Sequence, residues 1–244
     1  MPRTRHYQRT LPFGLGGLDA CDPLGERPTL QAVTTATEFW HALDQLRHVA
    51  REGSTAAALI LGRVLWGIGA TAAEGVAWLF TASQAGEAEA LHLLGLAYFR
   101  GQGVDRDLAR ARQLQVEAAE RGVVDAQFEL SLLLAQCLGG ARDGRGARRW
   151  EDRAADAGHP RACLNRGSRL AREKQPDFAA AMRWYERAAE GGSAEAAARL
   201  CRMHLAGQGV APDEAAAERW YERASELGYD WSAERRAAGE GAEG

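Results

Sequence analysis

The sequence predicts an all-α fold, a right-handed α-solenoid of stacked helix-turn-helix repeats. Three observations carry that reading. Glycines that follow Arg/Ala-rich stretches recur at Gly53, Gly86, Gly122, Gly158, Gly192 and Gly228, with spacings of 33, 36, 36, 34 and 36 residues. An alanine stands four residues after each of the first five, at Ala57, Ala90, Ala126, Ala162 and Ala196. A large apolar residue stands eight residues before each later glycine (Trp78, Leu114, Trp150, Trp184 and Trp220), and small pairs such as Ala118-Ala119, Ala154-Ala155 and Ala188-Ala189 fill the next turn. Self-similarity at a fixed period in the thirties marks a repeat array, because one helical hairpin cannot bury its apolar face alone.

Taken in order, residues 1–36 read as a flexible arm. The stretch 37–52 reads as a first helix, the second half of an incomplete repeat, with Phe39, Leu43, Leu46 and Val49 facing inward. Five A/B helix pairs then run from about 56 to 227. A short capping helix over 230–238 carries Trp231, and 239–244 is a frayed tail; the solenoid thus covers 37–238, with twelve helices and no sheet. Helix A of a unit places Ala90, Leu94, Gly95 and Tyr98 on one face, and helix B does the same with Ala111, Leu114, Ala118 and Ala119. Between them Gly101-Gln102-Gly103 ends helix A, since glycine accepts the left-handed conformation of a C-cap. Asp107 and Asp213 sit near the following helix start, where a carboxylate favours exposed N–H groups. Gly95 is expected at a close helix crossing, so that Gly95→Leu costs more than Gly103→Val.

Composition narrows the function. The chain has 244 residues, 46% hydrophobic and 26% charged, with a net charge of −3. That balance gives no electrostatic reason to expect nucleic acid or an anionic membrane as partner. No stretch approaches the roughly 20 apolar residues of a membrane span. Cys21, Cys137, Cys163 and Cys201 are irregularly spaced, which suits reduced thiols in a cytoplasmic protein. One alternative rests on the arm: Arg3, Arg5 and Arg9, then Thr10–Leu18, then Asp19-Ala20-Cys21 are similar to a lipoprotein export signal acylated on Cys21, although Pro12, the glycines and Asp19 depart from that pattern.

The pattern A-x-x-x-L-G-x-x-Y-x-x-G-x-G-V, then D, then W-x-x-x-A-A-x-x-x-G, resembles the Sel1-like repeat, a relative of the tetratricopeptide repeat. It is best matched from Ala90 to Gly122 and from Ala196 to Gly228. The likeness covers about 53–233. The copy at Ala57 has a shortened loop, the copy at Ala126 has Ser131 for the glycine, and the copy at Ala162 has Arg166-Gly167 for Leu-Gly and no Gly-x-Gly. The resemblance implies an adaptor or scaffold that binds another protein or peptide.

Catalytic motifs are lacking: no Walker loop, no dinucleotide-binding glycine fingerprint and no H-E-x-x-H occur. No enzyme activity, cofactor or metal is therefore expected. Cys201 and His204 share a helical face at a spacing that suits a metal, yet they occupy the glycine and tyrosine packing slots. Arg142, Arg145, Arg148 and Arg149 read as a solvated loop or an acidic-partner contact. The informative surface is the concave groove that the A helices of such stacks line. Positions 3, 7, 10 and 14 after each marker glycine form a stripe that avoids the packing slots. It reads Glu89, Leu93, Leu96 and Arg100, then Asp125, Glu129, Leu132 and Gln136. It continues with Arg161, Asn165, Ser168 and Arg172, then Glu195, Arg199, Arg202 and Ala206. A partner is expected to present acidic groups to Arg161, Arg172, Arg199 and Arg202 and an apolar anchor to Leu93 and Leu96.

Overall fold

A computed structural model describes residues 30–232, with side chains from Thr37 onward. Among them are eleven α-helices and no strand. They are α1 (Leu30–Arg51), α2 (Thr55–Gly67), α3 (Ala72–Gln84), α4 (Ala88–Arg100), α5 (Leu108–Glu120), α6 (Val124–Ala135), α7 (Gly144–Asp156), α8 (Pro160–Leu170), α9 (Phe178–Glu190), α10 (Ala194–Ala206) and α11 (Glu214–Glu226). A 3-10 turn, Gly69–Thr71, joins α2 to α3. The all-α solenoid class is the one expected. The first helix begins at Leu30 rather than at 37, so the expected arm of 1–36 loses its last turns to α1. The chain is described only to Ser232, so most of the expected 230–238 capping helix, like Cys21 and the 239–244 tail, lies outside the described residues. Trp231 itself is buried, its ring 4.7 Å from those of both Tyr221 and Tyr229, and it donates to the Ser225 hydroxyl at 3.0 Å.

The described residues form two compact units. The first runs to Ala126 and includes Cys137–Ala141; the second holds Gln127–Gln136 and everything from Arg142 onward. In the first, α2 packs on α3 and α4 on α5 within hairpins, while α1 on α2 and α3 on α4 join successive hairpins. The second unit repeats the scheme with α8 on α9, α10 on α11, α7 on α8 and α9 on α10. Alanine makes this possible: Ala154, Ala155, Ala162, Ala181, Ala188, Ala196 and Ala197 are all buried, with Leu200, Tyr185 and Phe128 filling the wider gaps.

Each marker glycine closes a helix in the same way. At Gly122 the backbone φ is +91°, Gly122 N–H donates to Ala119 O, and Val123 N–H reaches Ala118 O. The same pair of bonds closes the helices ending before Gly53, Gly86, Gly158, Gly192 and Gly228. This is the left-handed C-terminal closure for which glycine is suited, because a Cβ there meets the following carbonyl. The next residue or two begin the following helix, often with a side-chain cap: Ser54 accepts from Ala57 N–H and Ser193 from Ala196 N–H, each at 3.3 Å. Asp107 and Asp213 prove to be the N-caps of α5 and α11, accepting from Arg110 N–H at 2.9 Å and Ala216 N–H at 3.0 Å. Asp143 and Asp177 do the same for α7 and α9, each at 2.8 Å.

The loop glycines do more than end helix A. Gly103 has φ +80°, and a Cβ built there would lie 2.5 Å from Ala72 O and 2.9 Å from Ala73 N. Gly209, also at +80°, sits as closely on the start of α9, 2.7 Å from Phe178 C to its imagined Cβ. The second glycine thus seats each loop on the backbone that opens helix B of the preceding hairpin. Gly139 faces Leu108 O in the same manner. The third hairpin therefore keeps the loop as Cys137-Leu138-Gly139, with Cys137 in the left-handed slot at φ +60°. Gly95 is different: its imagined Cβ meets only the Gln115 side chain, at 2.6 Å from Nε2. The expected ranking of Gly95 above Gly103 is corrected, because a rotatable amide can yield where a helix backbone cannot. Gln115 holds that place through two bonds, His92 Nδ1 to its Oε1 at 2.9 Å and its Nε2 to His92 O at 3.2 Å. Since Nε2 donates to the carbonyl, Oε1 accepts, and His92 carries its proton on Nδ1.

Candidate protein-binding surface

The stripe residues divide between the two units. In the first, Glu89 is exposed and accepts from Arg63 at 3.1 Å across neighbouring A helices. Arg100 lies over the Trp66 ring at 5.3 Å, and Asp125 is exposed in the first turn of α6. Leu96 is half-buried, but Leu93 is only 9% exposed. Leu93 is corrected from partner anchor to core residue: its position on the helix falls over the packing face. The apolar side chain that this unit does expose on the stripe is Ile60, in α2.

In the second unit Glu129 is half-buried, while Arg161 and Arg172 are exposed. Asn165 donates to Glu151 at 2.8 Å. Arg199 gives both Nε–H and Nη2–H to Glu195 Oε1, at 3.2 and 2.6 Å, and lies 5.7 Å from the Tyr185 ring centre. Burial works against its charge, but the bonds to Glu195 and the neighbouring Tyr185 prevail and its pKa moves upward. Arg202 donates to the Tyr229 hydroxyl at 3.3 Å and stacks over that ring at 5.9 Å. Arg199 thus pairs with Glu195 through two of its N–H groups.

These two arginines border a hollow of about 330 Å³. Its walls are Phe178 and Tyr185 of α9, Met203 and Ala206 of α10, Ala171 just past α8, and Gln208 in the loop after α10. Spacing set Arg199 and Arg202 on one stripe of α10, and both border this hollow; the aromatic wall was not among the expected residues. The signal was the residue following each large apolar slot: Leu79, Gln115 and Tyr185 all turn toward a helix-A glycine (Gly62, Gly95 and Gly167) and lie buried beneath it.

Elsewhere, the Leu-slot residue Arg166 bonds Asp156 at 2.6 Å, and Arg169 bonds Asp152 at 2.5 Å and Glu151 at 3.2 Å. The α7–α8 junction is thus held by ions where other junctions use leucine. Cys163 and Cys201 are buried, and Cys163 Sγ donates to Ala155 O at 3.3 Å. Among the described residues no three His, Cys, Asp or Glu side chains converge on one point; Cys201 is buried and His204 half-buried on α10. No helix among them is long and apolar enough to cross a membrane.

Repeated two-helix units, glycine-closed and glycine-seated, define a class of helical repeat proteins. The Sel1 repeat profile matches residues 88–123, 124–159, 161–193 and 194–229, and the chain belongs to the Sel1 repeat family. A Sel1 repeat protein from Oxalobacter formigenes is 29% identical with a TM-score of 0.74, over 80% of this chain and 58% of that one. The protective antigen c5321 of uropathogenic Escherichia coli, with an SLR fold, is 28% identical with a TM-score of 0.65, over 77% of this chain and 41% of its own. The present chain therefore spans less than two thirds of either relative. No curated protein sequence matches it. Sel1 repeats generally act as protein-interaction scaffolds, typically without catalysis.

Proposed function

We propose that this protein is an adaptor that holds a partner protein or peptide against the A-helix face of its second unit. The observation that carries this is charge. Helices α8 and α10 bear Arg161, Arg166, Arg169, Arg199 and Arg202 against a single carboxylate, Glu195. Arg166 and Arg169 pair with carboxylates of α7 and Arg199 with Glu195, and exposed Arg161 and Arg202, with Arg172 just past α8, keep this face rich in arginine. An acidic partner gains steering and register from such a face. The experiment is affinity purification from the native host, followed by binding of the recovered partner to Arg161→Glu/Arg172→Glu and Arg199→Glu/Arg202→Glu variants. Weaker binding with unchanged helicity is expected; equal affinity for both variants and the parent overturns the reading. A cytoplasmic location belongs to the same proposal, and membrane fractionation abolished by Cys21→Ser would replace it with lipid anchoring.

A further inference from the structure

Resting on that reading, we infer that the hollow walled by Phe178, Tyr185 and Met203 and edged by Arg199 and Arg202 receives one bulky apolar side chain of the partner, flanked in its sequence by carboxylates.

Size is the first argument. About 330 Å³ lies at the small end of ligand pockets, which run from roughly 300 to 1,000 Å³. It suits one side chain rather than a cofactor. The walls set its character: besides the polar Gln208, the Phe178 ring, the Tyr185 ring, the Met203 thioether and two alanine methyls are apolar, and thioethers and rings favour an aromatic occupant.

Charge sets the flanks. Arg199 and Arg202 are three residues apart on α10 and so lie on neighbouring positions of one helix face. Glu195 occupies Nε–H and one N–H of Nη2 in Arg199, and a guanidinium has five N–H groups in all, so the fork can accept a second carboxylate without breaking the first pair. A residue next to the apolar anchor in an extended or helical segment would place its carboxylate at that edge. Glu195, half-exposed and paired with Arg199, weighs against a closely spaced polyphosphate chain.

The chain itself carries the reporter. Of its three methionines, Met203 and Met182 are both buried, Met203 but not Met182 lines the hollow, and Met1 lies outside the described residues. The test is titration of the full chain, labelled with carbon-13 at the methionine methyls, with the peptide acetyl-Ala-Asp-Phe-Glu-Ala-amide. Two controls replace Asp and Glu by Asn and Gln, or Phe by Ala. The Met203 methyl should shift and saturate while Met182 stays. Each control, and the Arg199→Gln/Arg202→Gln variant, should weaken binding by about ten-fold or more, the scale of one lost charge-assisted contact. Ala206→Trp, a change at an exposed helix end that fills the hollow, should abolish the Met203 shift with helicity intact. The inference is overturned if the peptide does not saturate, if the uncharged control binds equally, or if shifts fall elsewhere with Met203 silent. A natural partner that tolerates Ala206→Trp but not Arg161→Glu/Arg172→Glu removes the hollow and leaves the A-helix reading standing. One that tolerates every variant removes both.

Discussion

Replacing Gly103 by alanine tests whether loop seating holds successive repeats together. The cost has two parts. At φ +80° an L residue is strained by roughly 1–2 kcal/mol. The new methyl would also stand 2.5 Å from Ala72 O, so either the loop or the first turn of α3 must move; overpacking of this kind costs about 1–3 kcal/mol. The total is ~2–5 kcal/mol. Gly122→Ala supplies the control: its φ is +91°, and nothing lies within 4 Å of the imagined Cβ, so it bears the conformational part alone. Urea unfolding followed by circular dichroism measures both. The seating argument requires Gly103→Ala to unfold at clearly lower urea than Gly122→Ala. Coincident curves for the two variants would refute it and reduce Gly103 to an ordinary turn glycine.

Cys137→Gly should stabilise the chain by about 1 kcal/mol, because Cys137 holds a left-handed conformation at φ +60° that glycine takes without strain; an unchanged or lower melting temperature would contradict this. Burial pushes the Cys163 and Cys201 thiols above their ordinary range, so both should resist a thiol reagent until the protein unfolds, while exposed Cys137 reacts at once, as mass spectrometry of the labelled peptides will show. Hydrogen bonds from Arg47 hold the Glu74 carboxyl below its usual range, against the opposing effect of burial. A depressed folded pKa gives a contribution that is present above the unfolded value and is lost as pH falls through the folded one. Glu74→Gln should therefore cost stability near neutrality and flatten its acid dependence. The loss should be below ~1 kcal/mol because Glu74 is partly solvated, and parallel pH profiles for variant and parent would count against the pairing.

The repeat period was legible because it depends on single residues with no substitute, the glycine at each helix closure and the alanines at each crossing. The caps at Asp107 and Asp213 were legible because Asp is one of the few residues whose side chain caps a helix start. The third loop was hidden because Cys137 replaces a glycine while keeping its conformation, which no composition rule reveals. The start of α1 at Leu30 was hidden too, because Val33, Thr34 and Thr35 are weak helix formers. At the candidate site, the arginines followed from spacing alone. Leu93 was misplaced because stripe positions were assigned by an average pitch, and a turn of a few tens of degrees carries a side chain from groove to core. The hollow needed three helices at once, so no periodicity of one helix could disclose it.

The uneven spacings of the marker glycines have a practical meaning once the closures are seen. From each marker to the helix-A glycine slot (Gly62, Gly95, Ser131, Gly167, Cys201) the count is always nine, and from each large apolar slot to the next marker always eight. Every difference in length therefore falls between these two slots, at the end of helix A or in the connection that follows it. Most of those connections are pinned by a seated glycine at Gly103, Gly139 or Gly209, but the one after α8 contains no glycine and runs exposed through Glu173, Lys174 and Gln175. A tag, a fluorophore-bearing segment or a whole inserted domain spliced there extends the chain without parting two hairpins, whereas the same splice at Gly122 or Gly192 would sever the array.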